Sequence, residues 1–593
     1  MLLEDIDFKS QPKSDAQCLR QFYYLSDAFD KGEFWAIEWF NSWGQVPSGV
    51  FSGHFESVGS FQQCIRMEHF ANEIVGNLKG QHCMLNLQAR SELEIDDTFT
   101  TVANQFEWGN INPEQFCYTN EPMNLDARDL CAILFLLLIG LLLIVSTIYD
   151  VTIRKLQLKP HALYTSFSLL SNGEKLFEMN SSKSPESIEC VNGIRGLSIL
   201  WIMLGHRYLI PIFFVPVINR NYYNVWLDSI FSTFPNTSQL AVDTFLLMGG
   251  LLITRSFLTQ KEKKGKVNLL RFYLHRYLRI TPVLLVLVFI MVSFFRHFGD
   301  GPYHKNALNF NLIHCEKYWW ATFLHIQNYF NPLELCLSHS WYLSADFQLC
   351  LASPLFLIMT GKFGRRSLIA GVVLIILSWG CAFSTFYKYD LSPFNPANGV
   401  NSGKFVRTLY ATHIRLVGWV TGMILGYFLH YNKSKTFKVN RKLAAFLWIV
   451  SFSLIIAAIL GHHPFQQLNE NDVSQLAKGF YNSSARLGFV LAVSWIIFSC
   501  HQLKSGGIVN WFLSLPHWKP LGRMGLSFYL VHVFIQLGFT SYQQFPMFFS
   551  NFHILFAFFG DFVLTFFAST LLYLSFEAPI LIIEQYLYQR FSK

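Results

Sequence analysis

The stretch NGIRGLSILWIMLGHRY, residues 192–208, decides how the chain is read. It is apolar enough to lie within a bilayer, yet it carries Arg195 and His206, eleven positions apart. At 100° per residue that separation is three helical turns plus about 20°, so both side chains project from one face, about 16 Å apart along the axis. Ionisable groups inside a membrane span are costly and are kept mainly for a pathway or for chemistry. The structural alternative is a snorkelling arginine beside a satisfied interior histidine.

Composition extends the same reading to the whole chain. Hydrophobic residues make up 52%, aromatic residues 17% and charged residues 14%, with 60 phenylalanines. A soluble domain carries about 25% charged residues. Recurrent apolar runs predict an all-α polytopic membrane protein with about 11 transmembrane helices. The first is CAILFLLLIGLLLIVSTIY, 131–149. Ten more are expected near 191–214, 239–258, 278–297, 341–360, 367–386, 411–430, 443–461, 485–501, 521–540 and 554–576. The net charge of +8 sits in short loops such as KEKKGK (261–266), GKFGRR (361–366) and KSKTFKVNRK (433–442). That is the pattern of cytosolic loops, not of a nucleic-acid-binding surface. No internal repeat and no inverted symmetry of the transporter kind is seen.

Residues 1–130 differ in kind, being polar, rich in glycine turns and without a long apolar run. They are expected to form a small cysteine-containing extracytoplasmic domain, and Cys18, Cys64, Cys83 and Cys117 are expected to form two disulfides of undetermined connectivity. Arg154, Lys155 and Lys159 after the first span place 150–190 in the cytosol as a linker. The chain opens MLLEDIDFKSQPKSD, with no apolar segment to carry such a domain across a membrane. Either a leader precedes this sequence or the orientation is reversed, and the former is the expectation. The same orientation puts the sequons at Asn236 and Asn482 outside, open to glycosylation, and those at Asn180 and Asn432 in the cytosol. It also makes 298–340 a long outer loop, with Cys315 and Cys336 as a further disulfide pair. A membrane domain over 191–585 and a cytosolic tail over 586–593 complete the plan, in the plasma membrane or an endomembrane.

Other polar residues recur inside the apolar runs. Asp243 opens one span and is followed by Gly249 and Gly250, which suit close helix packing or close approach of a substrate. Arg271, His275, Arg276 and Arg279 form a basic face that fits anionic headgroups, a phosphate-rich cofactor, or simple topology-setting charge. HSWYLSADFQLCLASP clusters Trp341, Tyr342, Ser344, Asp346 and Gln348 in one span, as expected of a helix lining a polar interior. Arg415, Ser527, Tyr529 and His532 follow, and Glu577-Ala578-Pro579 reads as a stop signal at the last span. No His, Cys or Asp cluster has metal-ligand spacing.

In order, GIRGLSILWIMLGH, the Asp243 segment, RYLRITP, SWYLSADFQ, HIRLVGWVTGMILGY, GRMGLSFYLVH and the terminal EAP resemble the membrane acyltransferase type 3 superfamily. With GSFQQC (59–64) and GQHC (80–83), the chain resembles the animal branch of that superfamily, the nose-resistant-to-fluoxetine family. The resemblance covers nearly the whole chain, and the order of motifs is its specific part. It departs at Gly249, where relatives usually have serine, and at Asp346, where many carry glutamate. The resemblance implies transfer of an acyl group from acyl-CoA to a hydroxyl or amine on a membrane lipid or small hydrophobic acceptor. It maps the family's arginine–histidine pair onto Arg195 and His206, and its paired arginines onto Arg276 and Arg279. His206 is the candidate base, since an imidazole ordinarily titrates near ~6.5. Arg195 would hold donor phosphates or polarise the thioester, Arg276 and Arg279 would grip the CoA end, and Asp243 would orient His206. Two other readings remain: a lipid or xenobiotic transporter on the same fold, and a receptor with an extracellular disulfide domain.

Overall fold

The computed structural model describes residues 13–42, short segments between 64 and 118, and 125–591 except 180–186, 300, 394–401, 434–436, 438, 468–472 and 504–505. In the N-terminal part, α1 (Lys13–Asp30) and α2 (Phe34–Asn41) pack through Leu25, Ala28, Ala36 and Trp39. Three antiparallel two-stranded ladders follow: β1 (Glu68–Asn72) with β2 (Gly76–Lys79), β3 (His82–Cys83) with β6 (Cys117–Tyr118), and β4 (Leu87–Ala89) with β5 (Phe106–Trp108). Cys83 stands opposite Cys117 across its ladder. Cys64 is a buried free thiol, which departs from the expectation of two bridges among the four cysteines. The Cys18 side chain lies outside the described residues.

The remainder is helical. α3 (Ala127–Lys155) starts on a reciprocal cap between Asp126 and Asp129 and ends on Arg154 and Lys155, charges that suit the helix dipole at each end. Asp129 also binds Arg296 and His297, tying the first span to the rest. After α4 (Leu169–Phe177) come α5 (Cys190–Phe214), α6 (Leu240–Lys264), α7 (Leu269–Ser293), α8 (His304–Phe323), α9 (Trp341–Phe363), α10 (Ser367–Lys388), α11 (Thr412–Tyr431), α12 (Arg441–Leu460), α13 (Gln475–Phe498), α14 (Gly525–Ser541), α15 (Asn551–Leu572) and α16 (Ala578–Phe591). Among the described residues, 8 helical stretches are long and apolar enough to cross a membrane, the longest holding both α9 and α10. The chain is therefore a multi-pass integral membrane protein.

The centre of the bundle is built on glycine. Gly418, Gly422 and Gly426 recur every fourth residue along one face of α11 and lie against the backbone of α6 at Asp243, Leu247 and Leu251. In return, Gly250 of α6 lies against the carbonyl of Trp419. Lipid supplies no hydrophobic drive between helices, so backbone contact of this kind supplies the van der Waals energy that holds them. It also fixes which side chains of α6 and α11 face each other.

Three expectations are corrected. The stretch 298–340 is not a plain outer loop. It contains α8, whose start bonds to the end of α7 (His304 Nε2 to Arg296 O, 3.0 Å) and whose end reaches the middle of α7 (Thr281 Oγ1 to His325 Nε2, 2.8 Å). α8 thus folds back along α7, and the expected Cys315–Cys336 disulfide pins it. Its His, Lys, Asn and Glu residues lower its apolar content below the level that marks a span. Second, Asn482 lies buried within α13, and the side-chain nitrogen of Asn236 is sealed from solvent, so neither amide has room for a glycan. Third, Glu577-Ala578-Pro579 does not stop the last helix. A wide π turn at Tyr573–Glu577 absorbs the donor that Pro579 lacks, and α16 continues to Phe591, through most of the expected tail.

Because a side chain at Gly422 would collide with the α6 backbone, Gly422→Val is expected to destabilise the protein by about 1–3 kcal/mol. Gly140→Ala in α3, where nothing lies within 4 Å, is the control and is expected to leave stability unchanged or slightly raised. Thermal unfolding of the purified protein in detergent checks the pair. Equal melting temperatures for both variants would show that α6 and α11 do not touch as described.

Candidate functional site

α5 carries the first two residues of the site. Arg195, in its second turn, lies within electrostatic range of Arg276, Arg279 and Tyr342. Arg276 and Arg279 are three residues apart on α7 and so share a face. Tyr342 and Asp346 project similarly from α9. Asp346, fully buried, takes Arg276 in a two-pronged ion pair, Nε to Oδ2 at 3.0 Å and Nη2 to both oxygens. Arg279 faces the buried carboxylate of Glu577, which accepts a hydrogen bond from Ser527 Oγ at 2.7 Å. Neither Arg195 nor Arg279 donates a hydrogen bond to any described residue. Three guanidiniums thus share two carboxylates.

Further along α5, His206 Nδ1 lies 2.8 Å from Nε2 of His532 on α14, with the rings nearly parallel at 5°. The ring of His339 meets His532 edge-on, centroids 5.8 Å apart. His339 Nε2 lies 3.2 Å from the carbonyl of Leu530, so that nitrogen carries the proton and donates. Just before it, Leu337 adopts φ 56°, the left-handed region that a leucine enters only when its surroundings demand it. That turn brings His339 and the start of α9 into the bundle.

Two tyrosines join the clusters. Tyr529 donates to the His339 carbonyl at 2.6 Å and meets His532 at 5.7 Å between ring centroids. Tyr342 meets Tyr529 at 5.5 Å, and Phe245 packs against both. An unbroken series of side chains therefore runs from Arg279, Arg276 and Arg195 through Tyr342 and Tyr529 to His532, His339 and His206. Arg195, His206, Arg276 and Tyr342 lie deep among protein atoms yet keep accessible surface, 23% of the side chain for Arg276. From this partial accessibility we infer that the four side chains line an internal space.

The structure brings Arg195, His206, Arg276 and Arg279 to this space, but not Asp243. Asp243 faces α11 instead, where Gly418 lets the backbones approach, and pairs with Arg415 Nη1 at 3.0 and 3.2 Å. It therefore does not orient His206; His532 occupies that place. The expected basic face on α7 is also divided. Arg276 and Arg279 turn inward, whereas Arg271 stacks on Tyr588 at 3.2 Å and His275 Nδ1 binds Glu584 at 2.7 Å, both on α16. Glu577 and His339 went unrecognised in the sequence. A carboxylate within an apolar run was the available signal for Glu577, and it was read as punctuation because a proline follows closely.

A separate groove of ≈ 720 Å³ lies between α7 and α8, lined by Leu285, Val288, Phe289, Val292 and Trp319, with Arg128 and Glu316 at its edge. None of its lining residues belongs to the arginine or histidine clusters. Among the described residues, no group of three or more His, Cys, Asp or Glu side chains is placed to hold a metal ion.

The sequence profile of an acyltransferase domain matches residues 188–574, and that of the N-terminal domain of the nose resistant-to-fluoxetine protein matches 18–122. The chain is 23% identical to Nose resistant to fluoxetine protein 6 of Caenorhabditis elegans, over 97% of this chain and 80% of the relative. It is 24% identical to Regulator of hypoxia-inducible factor 1 of the same organism, over 71% of this chain and 84% of the relative. It is also similar to the O-acetyltransferase OatA of Staphylococcus aureus, 23% identical over 60% of this chain and 52% of the relative. No solved structure matches.

Removing the counter-charge of Arg276 tests the packing of the site. Asp346→Asn is expected to destabilise the protein by about 3 kcal/mol, the lower end for a broken buried pair because Arg276 keeps some access to solvent. Asp346→Glu should preserve most of the stability. Melting curves of the two variants decide it, and an Asp346→Asn protein as stable as the wild type would contradict the pairing.

Proposed function

The chain belongs to the nose-resistant-to-fluoxetine branch of the membrane acyltransferase type 3 family, and on that premise we propose that it transfers an acyl group from acyl-CoA to a hydroxyl or amine of a membrane lipid or small hydrophobic acceptor. The observation that carries this reading is the uncompensated positive charge at one end of an internal space and the histidine cluster at the other. Among the described residues, Arg195 and Arg279 have guanidinium donors free for a ligand, and Arg276 adds charge to the same place. Phosphate and pyrophosphate suit such a group, since arginine pairs with them through parallel charged hydrogen bonds.

From the arginines to His206 the distance along α5 is about 16 Å, a span that an extended phosphopantetheine arm can bridge. With the phosphates at the arginines, the thioester carbonyl would lie by the histidines. His206 Nδ1 is engaged with His532, which leaves Nε2 for the acceptor. If Nδ1 donates to His532, Nε2 is the basic nitrogen, which is the orientation a general base needs. The acceptor oxygen or nitrogen bonds to the carbonyl carbon as His206 takes its proton. The C–S bond then breaks, and the thiolate leaves and is reprotonated from the imidazolium. In this reading Arg195, Arg276 and Arg279 bind the donor, His206 is the base and His532 positions it.

The proposal includes eleven crossings, adding α11 and α14 to the eight apolar stretches and counting α9 and α10 separately. It places residues 1–130 outside the cytosol, as an N-terminal domain of the kind matched at 18–122, the linker 150–190 and the arginine end of the site in the cytosol, and the acyltransferase domain at 191–585, in the plasma membrane or an endomembrane. The groove between α7 and α8 favours a second reading, movement of lipids or xenobiotics without chemistry.

Membranes containing the protein and labelled acyl-CoA test the two readings. His206→Ala is expected to abolish covalent transfer while leaving expression intact. Arg279→Gln is expected to raise the KM for acyl-CoA by about 10–100-fold, with a smaller change in kcat, as for loss of one charged phosphate contact. Full transfer by His206→Ala would remove the histidine from its role. Label crossing the membrane with no acylated product in the wild type would favour transport.

A further inference from the structure

A second group of charges lies apart from the proposed donor site. Asp243, Arg415 and Arg486 come from α6, α11 and α13, and all three are more than nine-tenths buried. Arg415 holds the single carboxylate directly, and its guanidinium also lies over the Trp341 ring at 5.0 Å. Arg486 lies within electrostatic range of both Asp243 and Arg415. Two guanidiniums therefore share one carboxylate. Arg415 Nη2 and Arg486 Nη1 are sealed from solvent and have no hydrogen-bond partner among the described residues. A surplus cation inside a membrane domain is costly unless something compensates it.

Arg486 opens onto a cavity of ≈ 20 Å³, walled by Gln239, Pro393, His462, Tyr481 and Asn482. One water-sized body needs about 10–15 Å³, so the cavity has room for a single small species. Two donors nearby are committed: Tyr481 donates to Ala458 O at 2.7 Å, and Asn482 to Lys478 O at 3.0 Å. The Arg486 guanidinium, on the wall of the cavity, carries the surplus charge.

We propose that this cavity is a binding site for one halide-sized monovalent anion, held by Arg486 where α13 meets the start of α6, Pro393 and His462. The anion balances the second guanidinium and completes the junction that the glycines of α11 bring together. The site is independent of acyl transfer and stands or falls separately from that reading.

The test uses the full-length protein purified in detergent, melted in sodium chloride, sodium bromide or sodium gluconate at equal ionic strength. Chloride and bromide are expected to raise the melting temperature saturably, by on the order of 3 °C, relative to gluconate. Arg486→Gln should abolish the difference between salts, whereas Arg486→Lys should retain part of it. Equal melting in all three salts, or a full halide response in Arg486→Gln, overturns the proposal. Should Arg486→Gln fail to fold, a bromide-soaked crystal of the wild type decides: an anomalous peak beside the Arg486 guanidinium supports the site, and its absence rejects it.

Discussion

Charge inside a lipid-embedded bundle must be paired, hydrated or put to use, and that constraint organises this molecule. Arg276 is matched by Asp346, Arg415 by Asp243, and Arg279 faces Glu577. Each pair joins different helices, so the charges fix side-chain placement as well as offsetting one another. Among the described residues Arg195 has no carboxylate of its own, and it lies where α5, α7 and α9 converge on an internal space. A chain selected only for stability would replace such a residue with an apolar one, since buried ion groups seldom stabilise more than well-packed hydrocarbon does. Its presence points to a ligand carrying negative charge.

Packing makes that arrangement rigid. The glycine face of α11 draws α6 close enough for Asp243 to reach Arg415, and α9 is held beside them by Trp419 Nε1 donating to Ser353 Oγ at 2.8 Å. α8, folded back along α7 and tied by its disulfide, supports the turn at Leu337 from which His339 and α9 enter the bundle. The π turn before α16 presents Glu577 to Ser527 and Arg279. Irregular backbone inside a membrane protein is tolerated where it lines a polar interior, and both irregularities border the same space here.

The sequence made some of this legible and hid the rest for physical reasons. Arg195 and His206 stand out because charge within an apolar run interrupts hydropathy, and their spacing on a straight helix places them on one face. Arg276 and Arg279 were readable for the same reason. The partner of Asp243 was not, because Arg415 is 172 residues distant and only the glycine contact between α6 and α11 selects it over His206. α8 escaped notice because His, Lys, Asn and Glu residues scattered along it lower its apolar content. Glu577 was set aside because proline usually ends a helix, whereas a wide turn here carries the chain past it.

The central claim is that the arginine end of the internal space binds the phosphates of a thioester donor. The most direct measurement is a cryo-electron microscopy map of the full-length protein in lipid nanodiscs with a non-hydrolysable acyl-CoA analogue. Density for the pyrophosphate against Arg195, Arg276 and Arg279, with the acyl carbonyl beside His206, is the predicted result. An analogue bound elsewhere, or those three guanidiniums turned toward lipid, would contradict it.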